Sequence, residues 1–204
     1  VVLQGLPGLL KKNSWEEANP RSGRKVRLLS LDLELAQPSQ KVIQIGACVI
    51  SVVDGKIIDT FMVYVNPYEK LSEEIISLTG ITQAKVDVDG YPVQEAYYLL
   101  KKFAMKNKAS KNSLVWGSGA YNDSQHLYKE AKVEEKNFLG HRVLDVKTIY
   151  QSMRIRQGKT TKGGLLTSME ECGLKFEGRH HDGLADAINT AKFWYYLTNN
   201  FKTS

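Results

Sequence analysis

A histidine and an aspartate near the end of the 204-residue chain are close enough in sequence to act in one catalytic site. They lie in the stretch GRHHDGLADAINTA (178–191). His181 precedes Asp186 by five residues at the predicted start of a helix, for which Asp182 is a suitable N-cap. An imidazole can accept a proton near neutral pH, and a carboxylate can bind a cation. The stretch also has an apolar stripe at helical spacing, which alone favours an ordinary helix start: Leu184, Ala187, Ile188, Ala191 and Tyr195.

Two more acids lie in the stretch LSLDLEL, which alternates as a β-strand does. Asp32 and Glu34 are two residues apart, so both carboxylates leave the same face of the strand, and the leucines point to the other. Paired acids repel each other, and a hard cation such as Mg²⁺ or Mn²⁺ relieves that repulsion. An edge strand with one solvated face is the alternative.

Asp123 is a third candidate, because it follows a glycine-rich loop and begins a predicted helix. Capping of that helix would be sufficient to explain it. The complete order, Asp-x-Glu, then Asp, then His-x₄-Asp, is much rarer than any one of its parts, and it favours a metal-dependent catalytic site.

The elements that would carry these residues begin with three predicted strands, at about 26–35, 41–50 and 56–65. Asp54-Gly55 is a hairpin signal between the second and third, so the chain is expected to open with an antiparallel meander.

Helices and short strands are predicted to alternate after the meander. A short helix runs from a Ser72 cap to Gly80, a longer one starts near Val93, and LTSMEECGL forms one that ends at Gly173. NSLV is a predicted strand, DSQHLYKEA a helix, and RVLDVKTIYQSM a strand that continues into a helix. This order predicts an α/β domain over 26–204, a mixed sheet with helices on its faces, preceded by a peripheral basic extension over 1–25.

The composition excludes some classes of protein. With 42% hydrophobic and 25% charged residues the chain is typical of one globular domain, and no apolar run approaches the roughly 20 residues needed to cross a bilayer. Together with only two cysteines, this predicts a soluble intracellular protein that makes no membrane contact. The net charge of +6 is equally compatible with nucleic-acid binding and with solvated loops. A dinucleotide-binding domain is disfavoured, because no Gly-x-Gly-x-x-Gly follows the first strand.

LDLEL, the Asp123 segment and HHDGLAD together resemble the three motifs of the DEDDh 3′→5′ exonucleases, from about Val26 to the last helix. Within this superfamily the chain is most similar to the group that contains the histone-mRNA 3′-end and small-RNA-degrading exoribonucleases and the bacterial KapD proteins. ISLTGIT followed by VD, and GRHHDGLADAINTA, carry that closer resemblance. It implies an α/β, ribonuclease H-like fold: a mixed β-sheet flanked by helices on both faces.

The resemblance also implies a mechanism that uses two divalent ions, Mg²⁺ or Mn²⁺. Asp32 would bridge both ions, Glu34 and Asp186 would bind the ion that holds the attacking water, and Asp123 would complete the second ion's site. His181 would be the general base, with His180 as the alternative.

The implied substrate is single-stranded RNA or DNA with a free 3′ end, RNA being favoured, and the product is a 5′-mononucleotide. The substrate-contacting residues implied by motif position are Leu33, Leu35, Ala36, Leu78, Ile81 and Tyr121. Some positions depart from the family: Leu35 and Ala36 replace smaller or hydroxylated residues, Gln44 stands where the family often has Glu, and GSGAYND is about one residue longer. The alternative function is therefore a catalytically weak or inactive RNA-binding or scaffold subunit of a larger ribonucleoprotein assembly, and the sequence identifies no protein partner.

Overall fold

The computed structural model describes residues 26–109, 112–117, 122–133, 138–139, 142–160 and 163–200. The predicted extension over 1–25 lies outside these ranges. The strands are β1 Arg27–Leu35, β2 Val42–Ser51, β3 Ile57–Tyr64, β4 Asn112–Val115 and β5 Arg142–Asp145. The helices are α1 Glu73–Thr79, α2 Gln83–Asp89, α3 Val93–Lys106, α4 Asp123–Ala131, α5 Val146–Arg156, α6 Leu165–Glu171 and α7 Gly183–Asn199.

The strands form one mixed sheet in the order β3-β2-β1-β4-β5. β1, β2 and β3 pair antiparallel, as the predicted meander requires, and β4 and β5 add in parallel to the other side of β1. β1 is therefore the central strand. This excludes the alternative that Asp32 and Glu34 lie on a solvated edge strand.

The two faces of the sheet carry different cores. Leu29, Leu31 and Leu33 of β1 pack in one core with side chains of α3 and α4. The other face of β1 starts with Leu28, which packs in a second core with α5, α6 and α7. Because side chains alternate along a strand, Asp32 and Glu34 lie on this second face, towards α7.

The last helix is more buried than its predicted stripe indicates. Ala187 and Ala191 are buried as expected, but Leu184, Ile188 and Tyr195 are only partly buried. Asp186, Asn189 and Thr190 are buried instead. Most of the stripe faces the core as predicted, since Ile188 and Tyr195 pack against it, and the buried face is wider because α7 contacts β1, β2, α5 and α6.

The remaining differences concern short helices. α2 was not predicted, because Val86 is its one buried residue and VDVD alternates as a strand would. α6 ends at Glu171, two residues before Gly173, which has a left-handed backbone conformation. No helix in the described ranges is long and apolar enough to span a membrane.

Candidate active site

Three of the predicted acids meet on the face of the sheet that α7 covers. Asp32, Glu34 and Asp186 each offer a carboxylate oxygen, and these oxygens lie within 4.8 Å of one another. Glu34 is only 8% exposed and Asp186 only 6%. Their convergence joins the first and last motifs of the sequence in one site.

Two glycines allow α7 to approach so closely. Gly46 of β2 lies opposite Asp32 in the ladder. A Cβ atom on Gly46 would lie 2.0 Å from the carbonyl carbon of Gly183, which is the first residue of α7, so no larger residue fits there. The absence of a side chain on β2 therefore places Asp186, one turn into α7, beside the acids of β1.

Polar contacts fix the same end of α7. The Gly183 N–H donates to Oε1 of Gln44 at 2.7 Å, within the buried interface. Asp182 caps the helix as predicted, its Oδ1 accepting from the Ala185 N–H at 3.0 Å. Gln44 thus satisfies a backbone donor at the helix start without adding a further negative charge.

Asp123 is the first residue of α4, but it does not cap that helix. The cap is Asn122, whose Oδ1 accepts from the Gln125 N–H. Asp123 lies outside the three-oxygen cluster, yet its charge raises the pKa of both Asp32 and Glu34. Its carboxylate is therefore near enough to the cluster for an electrostatic interaction, and its position is not that of the helix cap.

All four carboxylates hold protons unusually tightly. Desolvation raises the pKa of Asp32 well above its ordinary value, and the charges of Asp123 and Asp186 raise it further. Desolvation also raises the pKa of Glu34 to about 8, that of Asp123 to about 7 and that of Asp186 to about 6. Nearby acids contribute to each of these shifts.

The cluster is suited to a divalent cation. Oδ2 of Asp186 accepts from the backbone N–H of His181 at 2.9 Å. The other oxygen of Asp186, Oδ1, is buried with no hydrogen-bond partner. A buried carboxylate oxygen without a partner is costly, and a bound cation would satisfy it. Oxygen donors are the ligands that hard divalent ions prefer, so these residues fit the metal-binding role predicted for them.

His181 lies directly beside the acids. Its backbone has the left-handed conformation, with φ 62°, and its N–H donates to Asp186. Desolvation lowers the pKa of the His181 imidazole, and the neighbouring His180 lowers it further. The two imidazole centroids are 4.0 Å apart, and a ring nitrogen of each lies within 4.8 Å of an Asp186 oxygen. Proximity to Asp186 therefore does not decide between the two candidate bases.

Residues 177–182, which contain both histidines, form the histidine loop. Two side chains that sequence analysis did not select hold this loop in place. Asn189 of α7 accepts from the Glu177 N–H and donates to the Glu177 carbonyl. Arg179 donates to the carbonyls of Ser77 and Leu78, at the end of α1. The Arg179 partners are more than 100 residues away in sequence, so residue spacing carried no signal for this contact.

The residues predicted to contact substrate have different environments. The side chains of Leu33, Ala36 and Ile81 are buried in hydrophobic cores, and their contact with substrate stays a prediction. Leu35 is partly buried, and Leu78 is 45% exposed. Tyr121 lies outside the described residues.

Without metal, we expect Glu34→Gln to stabilise the protein at alkaline pH. The unfolded chain releases the Glu34 proton near its ordinary pKa of 4.5, whereas the folded protein retains it to about pH 8. Stability therefore falls as pH rises through this window, and the loss is complete above about pH 8. Each tenfold change in proton affinity corresponds to about 1.4 kcal/mol, so the effect is on the order of a few kcal/mol.

Thermal unfolding of both proteins in chelator will measure this effect. The variant should unfold several degrees higher near pH 8, and the difference should disappear towards pH 4.5. Added Mg²⁺ or Mn²⁺ should stabilise the unsubstituted protein more than the variant. Equal unfolding temperatures at both pH values would contradict the raised pKa of Glu34, which burial and the neighbouring acids cause.

Comparison with known proteins agrees with this geometry. The RNase_T model, described as Exonuclease, matches residues 29–194. Human ERI1 exoribonuclease 2 is 28% identical over 219 residues, which cover 90% of this chain and 31% of the relative. The Bacillus subtilis probable 3′-5′ exonuclease KapD is 25% identical over 191 residues, 82% of each chain.

The fold is shared with solved structures as well. The nuclease domain of 3′hExo, a DEDDh family member bound to rAMP, superposes with a TM-score of 0.71 at 20% identity, over 88% of this chain and 94% of that domain. The chain spans only 25–38% of the length of the ERI1 exoribonuclease 2 relatives. The chain belongs to the RNase_T exonuclease family, whose model covers the segments that resemble the DEDDh motifs.

Proposed function

We propose that this protein is a metal-dependent 3′→5′ exonuclease that removes 5′-mononucleotides from single-stranded nucleic acid, with RNA favoured over DNA. The observation that carries the proposal is the meeting of Asp32, Glu34 and Asp186 beside a histidine loop. The preference for RNA is supported by relatives named as exoribonucleases, among them the rat 3′-5′ exoribonuclease 1, which is 28% identical over 162 residues.

The acids would hold two divalent ions, Mg²⁺ or Mn²⁺. Asp32, Glu34 and Asp186 are the ligands that the three-oxygen cluster provides, and Asp123 is the candidate for completing a second site. When bound, such ions lower the pKa of a water molecule and neutralise charge on a phosphodiester.

Protein side chains would supply the general base and a contact for the substrate. His181, whose backbone N–H donates to Asp186, would accept the proton of the attacking water, and its lowered pKa favours the neutral imidazole that this role needs. Leu78 presents an exposed apolar side chain on which a 3′-terminal base could pack. Its position depends on Arg179, which links the end of α1 to the histidine loop.

We expect single strands with a labelled 5′ end to shorten one nucleotide at a time from the 3′ end. RNA and DNA of the same sequence should be compared in Mg²⁺, Mn²⁺ or chelator, each with a free or a blocked 3′ end. Chelator and the 3′ block should each prevent release of 5′-mononucleotides. Dominant internal cleavage of blocked strands would contradict the exonuclease proposal.

Asp32→Asn is the matched control in that assay, because it preserves side-chain size and removes one ligand charge. This variant should release no nucleotide under any metal condition. If the unsubstituted protein also releases none but still binds RNA, the protein is the non-catalytic scaffold. The three converging acids beside two histidines support the enzyme over the scaffold.

A further inference from the structure

The histidine loop forms a second group of possible metal ligands that only partly overlaps the carboxylate cluster. His180, His181 and Asp186 each offer one donor atom, and the three atoms lie within 4.8 Å of one another. Asp186 belongs to both groups, whereas His180 belongs only to this one. The exonuclease chemistry proposed above leaves the second histidine without a role.

The backbone explains why adjacent histidines point to one place. Successive side chains of an extended chain point in opposite directions, but His181 has a left-handed backbone conformation. Its ring consequently lies next to that of His180, with centroids 4.0 Å apart and planes tilted by 54°. Phe176 contacts the His180 ring at 5.7 Å between centroids, so this imidazole is packed in place and not freely extended into solvent.

The shared carboxylate has one oxygen available. Oδ2 of Asp186 already accepts the His181 N–H, whereas Oδ1 is buried and has no hydrogen-bond partner. A cation held by two ring nitrogens and Oδ1 would satisfy that oxygen. Metal–nitrogen bonds of about 2.0–2.1 Å need donor atoms somewhat over 3 Å apart, so modest side-chain rotation would complete the site.

The donor types determine which ion fits. Two neutral imidazoles and one carboxylate favour Zn²⁺ and other late first-row ions, whereas Mg²⁺ prefers oxygen donors. We propose that His180, His181 and Asp186 form an inhibitory site for Zn²⁺ or a similar transition-metal ion. The inhibition rests on the proposed exonuclease function, since the ion would occupy the candidate base and the available Asp186 oxygen. The binding of the ion does not depend on that function.

The first test measures binding alone, by calorimetric titration of Zn²⁺ with and without Mg²⁺, because the two ions share Asp186 as a ligand and should compete for it. His180→Asn should weaken Zn²⁺ binding at least tenfold, about the lower limit for losing a supporting group at a metal site. His180→Cys, which supplies a thiolate ligand, should retain tight binding. His126→Gln is the matched control, because His126 lies on α4 and bonds to the Gln40 carbonyl, away from the loop.

The second test follows nuclease activity in Mg²⁺ as Zn²⁺ is added, each protein being compared with its own rate before addition. The concentration for half-inhibition should rise at least tenfold in His180→Asn and remain low in His180→Cys and His126→Gln. If His180→Asn binds Zn²⁺ as the unsubstituted protein does, the proposed site is wrong, whatever the nuclease result. If the protein shows no nuclease activity but His180→Asn loses Zn²⁺ binding, the site stands and the proposed function fails.

Discussion

Asp186→Asn is expected to abolish nuclease activity and to weaken divalent-metal binding at the same time. The substitution keeps the size of the side chain and an oxygen that can accept the His181 N–H, but it removes the charge that faces Asp32 and Glu34. Divalent ions contribute several kcal/mol to stabilising charge in phosphodiester hydrolysis, so the rate should fall by more than about 10³-fold. Calorimetric titration with Mn²⁺ and single-turnover rates will measure both effects.

Asp182→Asn is the matched control for that experiment. Asp182 is also an acid near the cluster, but its Oδ1 caps α7, and asparagine caps a helix equally well. We expect this variant to keep its fold and its metal binding, with a much smaller change in rate. An Asp186→Asn protein with undiminished rate and Mn²⁺ affinity would remove α7 from the proposed metal site.

His181→Ala is expected to reduce the single-turnover rate about 10²–10⁴-fold while the metal ions remain bound. The imidazole that accepts the water's proton is lost, but the carboxylates Asp32, Glu34 and Asp186 are retained. Because the pKa of His181 is lowered, the rate of the unsubstituted protein should rise with pH and reach its plateau near or below neutrality. In the variant, higher pH should restore part of the rate, since more of the metal-bound water is then ionised.

The same measurements on His180→Ala distinguish the two histidines. Rates from about pH 6 to about pH 9, together with Mn²⁺ titrations, should show the larger loss for His181→Ala. Unchanged rates in His181→Ala would refute its assignment as the base. A larger loss in His180→Ala, with metal binding intact, would transfer that role to the neighbouring ring, which the distances to Asp186 also permit.

Local sequence rules determined the parts of the site that depend on adjacent residues. The two-residue period of a strand places Asp32 and Glu34 on one face whatever surrounds the strand. The hairpin signal at Asp54-Gly55, the cap at Asp182 and the order of most elements also follow from local chemistry, and the structure confirms them. The sequence could therefore predict the fold class and the candidate acids, of which Asp32, Glu34 and Asp186 converge.

Tertiary structure decided what depends on contacts between distant residues. β1 is central because β4 pairs with it, and Asp186 reaches the acids because Gly46 and Gly183 let α7 lie directly on β2. Packing likewise decides that the side chains of Leu33, Ala36 and Ile81 are buried, and the substrate contact that motif position implies for them stays a prediction.

The two histidines and the Asp123 segment show the same limit in the site itself. Residue spacing placed the histidines near Asp186, but only the left-handed backbone at His181 brings both rings to that carboxylate. Spacing also allowed Asp123 to be the cap of α4, whereas the folded backbone gives that role to Asn122 and leaves the Asp123 carboxylate close enough to raise the pKa of Asp32. Spacing fixes which side chains are neighbours along the chain, but the backbone conformation at single residues and the packing of separate elements fix which atoms meet.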